Sequence, residues 1–243
     1  MVTFFMPYLY QVILLTLLAG LAMPLGAIIA RFENIQSNWI ALEFRHSVIA
    51  FGAGSLLSAV ALVLVPESMK ELSKLTSTLY FLSGGVAFML LDILLQKINN
   101  PASQLFAMLT DFIPESIALG AAFAHGSRTG LLLALLITLQ NLPEGFNAFR
   151  EMRENKHLSS KQIITLFFLM AFLGPISGVS GYLWLDDSPT IIAGLMMFAS
   201  GGILYSIFQD IAPQVPVKQH WTIPMGALFG FLMGILGSMV LSH

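Results

Sequence analysis

The sequence predicts an all-α integral membrane protein of eight transmembrane helices, and three observations predict it. Hydrophobic residues make up 56% of the 243-residue chain and charged residues only 10%, with a mean hydropathy of +0.82, whereas soluble domains carry about one quarter charged residues. Eight apolar stretches separated by short polar connections each approach the roughly 20 residues that cross about 30 Å of hydrocarbon as a helix. Two of these stretches keep Pro-Glu pairs in oil, Asp111-x-x-Pro114-Glu115 and Gln140-x-x-Pro143-Glu144.

In chain order the apolar windows run over about 6 to 29, 46 to 65, 79 to 96, 104 to 125, 130 to 150, 161 to 184, 189 to 211 and 221 to 241. The first window has no basic segment before it, since the first Lys or Arg is Arg31, so it reads as a retained helix and not a cleaved signal peptide. The second ends at Pro66, and the third is set off from the fourth by Asn99-Asn100-Pro101. The fourth and fifth hold the two Pro-Glu pairs. Asp186-Asp187-Ser188-Pro189 separates the sixth from the seventh. No connection is long enough for a soluble domain, so residues 1 to 243 form a single transmembrane domain.

An even number of spans puts both termini on one side, and charge decides which. With the N-terminus outside, the inner loops and helix ends collect Arg31, Arg45, Lys97, Arg150, Arg153, Lys156, Lys161 and Lys218, against Lys70, Lys74 and Arg128 outside. That bias places both termini on the extracytoplasmic face of the cell membrane. A net charge of -2 without a basic run excludes a nucleic-acid partner, and the absence of cysteine excludes thiolate metal sites and disulfides.

The chain also repeats itself. Phe51-x-x-Gly54-x-x-Leu57, ending at Pro66, matches Phe198-x-x-Gly201-x-x-Leu204, ending at Pro213, at an offset of 147. Gly85 to Phe88 in the third span matches Gly226 to Phe229 in the eighth. In the middle, Asp111 aligns with Gln140, Pro114 with Pro143 and Glu115 with Glu144 at an offset of 29. Equivalent helices would run in opposite directions, so the layout is a 3+2+3 inverted repeat, which in secondary transporters puts the substrate site near the midplane.

Positions i, i+3 and i+4 share a helix face, so Asp111, Pro114 and Glu115 form one half-site and Gln140, Pro143 and Glu144 the other. A charge near the bilayer centre costs about 3 kcal/mol on insertion scales, which makes ion handling the default reading of three such carboxylates. Each proline removes an N–H and would bend its helix, freeing the Thr110 and Leu139 carbonyls. The competing reading is structural: protonated carboxylates would hydrogen-bond neighbouring helices together without moving anything. Three carboxylates and one amide are hard oxygen donors that suit Mn, Fe or Mg and do not exclude Zn. Asn147 and Glu151 extend the path toward the cytosolic end of the fifth span. His46, Asp92 and Asp210 read as interface anchors, and Glu67 and His125 as residues of an outer entrance.

Gln140-Asn141-Leu142-Pro143-Glu144-Gly145 resembles the fifth-span signature of the ZIP (Zrt/Irt-like) divalent metal transporters, in particular their gufA-like branch. The segment DFIPESIALG, Asp111 to Gly120, is similar to their fourth-span pattern His-Asn-x-Pro-Glu-Gly-x-Ala-x-Gly at Pro114, Glu115, Ala118 and Gly120. Met23-Pro24-Leu25-Gly26-Ala27 and the Phe-x-x-Gly segments extend the likeness over essentially the whole chain. The resemblance implies eight helices in a 3+2+3 arrangement, uptake of a divalent metal (Zn, Fe, Mn, Co or Cd) into the cytosol as substrate and not cofactor, and a homodimer. It carries the metal site to Asp111, Glu115, Gln140 and Glu144, with Asn141 as a secondary ligand.

The departures are specific. Asp111 stands where the family has His, Phe112 where it has a liganding Asn, and Gly174 where the sixth span often gives a Glu to a second metal. The loop between the third and fourth spans has no His. A single-metal site with a preference moved away from zinc is therefore expected. Two other functions compete: a metal-binding sensor that moves nothing, on the strength of those lost ligands, and an intramembrane metalloenzyme, which the absence of a His-Glu-x-x-His helix or a nucleophile disfavours.

Overall fold

The computed structural model describes residues 2–33, 38–98, 101–124, 128–154, 158–184, 188–214 and 221–242. Within them the chain is helical, with no strand. Asn99, Asn100, His125, Asp186 and Asp187 lie outside the described residues, as does the side chain of Asp210.

Helix α1 spans Val2–Phe32. Helix α2 (Asn38–Ala59) continues through a π turn, Val60–Leu64, into α3 (Val65–Glu71). Next come α4 (Lys74–Ile98), α5 (Pro101–Ala124) and α6 (Arg128–Glu154). Helices α7 (Ser160–Ala171) and α8 (Leu173–Trp184) form one rod interrupted at Phe172. The break has a local cause: Pro175 has no N–H for the Ala171 carbonyl and its ring crowds that group. Helix α7 starts on a capping box, in which Ser159 Oγ accepts from the Gln162 N–H and Gln162 Oε1 accepts from the Ser159 N–H. Helix α9 (Pro189–Ser206) runs into a second π turn, Ile207–Ile211, and α10 is Thr222–Ser242.

Seven of these rods are long and apolar enough to cross a membrane. The exception is α6, whose middle carries Gln140, Asn141 and Glu144 and whose last turns carry Arg150, Glu151 and Arg153. Its lower apolarity comes from the polar residues that make it interesting. Helices α5 and α6 both run unbroken through Pro114 and Pro143.

The rods pack as two groups. Helix α1 lies against α6, α7 and α8, while α5 packs on α8; separately, α2 pairs with α10 and α4 with α9. The groups meet where α2 touches α6 and α5 touches α9. The pairing of α2 with α10 and that of α4 with α9 use the same device, a glycine in each helix facing the other's backbone. A Cβ on Gly54 would drive into the Ala227 carbonyl, and one on Gly230 into that of Phe51; likewise Gly201 faces the Phe81 carbonyl and Gly84 that of Phe198.

Those contacts align Phe51 and Gly54 with Phe198 and Gly201 at the offset of 147 read from the sequence. They align Ala227 and Gly230 with Phe81 and Gly84, an offset of 146, so the match of Gly85 with Gly226 is corrected by five residues. The reason is steric: Gly226 is pressed against Ser47, whereas a Cβ on Gly85 would make only ordinary contact with Gly201. The π turns obey the first offset too, with Val65 N–H reaching the Val60 carbonyl and Ala212 N–H that of Ile207. A proline follows each, Pro66 and Pro213. Widening the turn re-aims the carbonyls that these prolines cannot satisfy.

Candidate metal site between α5 and α6

Helix α6 is seated on α1 by a close approach in which a Cβ on Gly145 would collide with the Met23 carbonyl, and one on Gly26 with that of Leu142. This clamps the backbone on both sides of Pro143 and Glu144. Across from it, α5 presents Asp111, Pro114 and Glu115.

A polar contact at full burial joins the two helices. Gln140 Nε2 donates to both carboxylate oxygens of Glu115, at 2.6 Å each, and the two residues are 2% and 1% exposed. The amide orientation is set by this contact, since a flipped Gln140 would point oxygen at oxygen. Asp111 and Glu144 are half-buried. Asp111 acts electrostatically on both Glu115 and Glu144, and Glu115 acts on Glu144, so the three carboxylates lie within Coulombic reach of one another. They are nevertheless not drawn into a ligand shell: among the described residues no three His, Cys, Asp or Glu side chains stand together closely enough to hold a metal. Both Glu115 oxygens are turned onto the Gln140 amide.

Oxygen acceptors remain unused at this level. Gln140 Oε1 and Asn141 Oδ1 are buried without a hydrogen-bond partner, and so, elsewhere on α5 and α2, are the hydroxyls of Ser116 and Ser55. Leaving such an atom unsatisfied costs about 1–3 kcal/mol, and unsatisfied atoms in one locality mark a place for an ion or water. Asn141 is fixed by its other end, Nδ2 donating to the Ala19 carbonyl of α1 at 2.9 Å. Ser116 was missed by sequence reasoning, and only its place beside Glu115 would have signalled it.

The position equivalent to Asn141 on α5 is Phe112, which is fully buried. Its ring tip lies against Gly20 of α1 and Gly174 of α8: a Cβ on Gly174 would be 2.7 Å from Phe112 Cζ, and one on Gly20 3.0 Å. The two departures noted in the sequence, Phe112 and Gly174, are thus neighbours. The ring occupies the volume that a side chain at 174 would need.

Farther along α6, Asn147 Nδ2 donates to Glu151 Oε1 at 2.7 Å. Beyond them Arg150 pairs with Glu33, which also takes Arg45 at 3.4 Å. Glu33 is 5% exposed at its side chain and ties α1, α2 and α6 together. It went unnoticed in the sequence, where a lone acid among inner-face arginines was its only signal. Asp92 of α4 accepts from the Tyr205 hydroxyl of α9 at 3.2 Å, an interhelical contact, whereas Glu67 pairs locally with Lys70 at 2.7 Å. His46 is half-buried near the start of α2.

No family model matches the chain. It is similar to curated proteins along its whole length. It is 23% identical to the zinc transporter ZupT of Chlorobium phaeovibrioides over 96% of this chain and 99% of that one. It is 22% identical to the ZupT of Chlorobium limicola, covering 93% and 96%, and 22% identical to that of Streptococcus mutans, covering 94% and 95%. ZupT proteins are ZIP transporters, and over nearly its whole length this chain is similar to three of them at 22–23% identity.

Proposed function

We propose that this protein carries a divalent metal cation across the cell membrane into the cytosol, through a site between α5 and α6 built from Asp111, Glu115, Gln140 and Glu144. The observation that carries the reading is the end-to-end similarity to zinc transporters, taken with the buried Glu115–Gln140 contact. In this reading α6 is the eighth span, residues 1 to 243 are one domain, and both termini are extracytoplasmic. The arrangement is a 3+2+3 inverted repeat, supported by the paired π turns and the matching glycine contacts 146 to 147 residues apart.

The metal exchanges its water for carboxylate oxygens of Asp111, Glu115 and Glu144, and Gln140 swings from hydrogen-bonding Glu115 to offering its Oε1. The unused oxygens of Gln140 and Asn141 supply the remaining positions. With Asp111 in place of imidazole the ligand set is all oxygen, which moves preference from zinc toward harder ions such as manganese and ferrous iron. Release follows when one helix group moves against the other and the site opens inward, past Asn147 and Glu151. Ligation needs ionised carboxylates, so protons compete with the metal.

Uptake of Mn, Fe, Zn, Co and Cd into liposomes holding the purified protein tests this directly. Flux that Glu144→Ala removes is the expected result. Metal binding with no flux of any ion would instead establish a non-transporting sensor, the reading that the sealed Phe112–Gly174 contact favours.

A further inference from the structure

At the end of the bundle where α1 and α6 finish and α7 begins lies a cleft of about 330 Å³, lined by Ala30, Arg31, Phe149, Arg150, Arg153 and Ser160. Among the described residues, half of its lining side chains are arginines and none is a carboxylate. The nearest acid known to engage them, Glu33, is nearly buried and shared between Arg150 and Arg45, so one negative charge is divided between two guanidinium groups. Glu151 is occupied by Asn147. Arg31 rests over the ring of Phe32, 5.5 Å from its centroid, and Arg153 uses Nη1 on the Leu158 carbonyl at 2.9 Å. Both keep further donors, since a guanidinium carries five N–H groups. Three arginines would repel a dication, so the cleft is not on the metal's route.

We propose that this cleft binds a phosphate-bearing anion, with Arg31 and Arg153 as its principal charged donors and the Ser160 hydroxyl beside them. Arg150, held by Glu33, forms the inner wall. The volume would hold roughly ten waters, which is ample for a phosphate group with a few attached atoms. Guanidinium groups match phosphate oxygens in pairs, and basic clefts between membrane helices at the headgroup level take anionic lipid headgroups by this chemistry. The apolar wall of Ala30 and Phe149 suits the glycerol side of such a headgroup. A soluble phosphate ester shares the same chemistry.

The full-length protein in detergent is titrated with dihexanoyl phosphatidylglycerol, with dihexanoyl phosphatidylcholine and with inorganic phosphate, binding being followed by native mass spectrometry. The phosphatidylglycerol is expected to bind more tightly than the zwitterionic lipid. In the R31Q/R153Q double variant its affinity should fall roughly 30-fold, while R31K/R153K, which keeps the charge, should retain most of it. Competition by inorganic phosphate would identify a soluble anion as an occupant, and its absence the lipid headgroup. Equal affinity for the two lipids, or an unchanged affinity in R31Q/R153Q, would overturn the proposal. Neither arginine belongs to the proposed metal site, so metal uptake in these variants reports separately on whether the transporter itself is intact.

Discussion

Helices α5 and α6 carry the same Pro-Glu pair, yet the residue three positions before each Glu has opposite chemistry. On α6 it is Asn141, whose amide is anchored to α1 and whose carbonyl oxygen is left without a partner. On α5 it is Phe112, whose ring is packed against two glycines. One half-site thus stays polar and offers oxygen, while the other is closed by an apolar plug. The difference teaches that two helices with the same motif need not offer the same chemistry at matching positions, because an apolar ring can take the place of a polar side chain where the neighbouring helix carries none, as at Gly174.

The comparison can be broken most severely at the acids. Glu144→Ala is expected to leave no measurable metal uptake in liposomes while the protein still purifies folded; normal flux would remove α6 from the site. The plug comes next. Phe112→Ala should lower stability by about 3–5 kcal/mol, the usual cost of deleting a fully buried ring, seen as a fall in the unfolding midpoint in detergent. Gly174→Ala should destabilise by about 1–3 kcal/mol through overpacking against the same ring and the Thr16 carbonyl. Stability unaffected by either substitution would mean that the plug is not packed as described.

Selectivity should respond more gently. Asp111→His restores imidazole and is expected to raise zinc uptake relative to manganese about tenfold, close to 1.4 kcal/mol of discrimination; competition between the two ions in the same liposomes reads it out. Asn141→Ala removes one interhelical hydrogen bond and should cost about 1 kcal/mol of stability. Its effect on flux separates a ligand from a tether: unchanged metal affinity with lowered stability would assign Asn141 to anchoring α1 alone.

Several features were legible in the residues because the bilayer restricts the choices. Backbone polar groups in lipid must be satisfied within the segment, so an apolar run of the right length can only be a helix. The window 6 to 29 accordingly falls inside α1, and the window 221 to 241 coincides with α10 to within one residue. The Pro-Glu spacing placed Asp111 and Glu115 on one face without any knowledge of neighbours. Helix α6 falls short of the apolarity that marks a span, because Gln140, Asn141 and Glu144 dilute it. The 147-residue offset was visible in Phe-x-x-Gly and the terminal prolines, but the π turns preceding them were not, because a wider turn leaves no compositional mark.

By itself, then, the sequence determined that the chain is a bundle of apolar helices, that two of them carry matched acids, and that Phe112 and Gly174 depart from the family pattern it resembles. The tertiary structure alone decided that Glu115 is held by Gln140, that Phe112 fills the space above Gly174, and that Glu33 gathers arginines from two other helices. The physical reason is rotational. Periodicity fixes which residues share a face of their own helix, whereas the face each helix shows its neighbour is set by glycine-to-backbone contacts between residues more than a hundred positions apart.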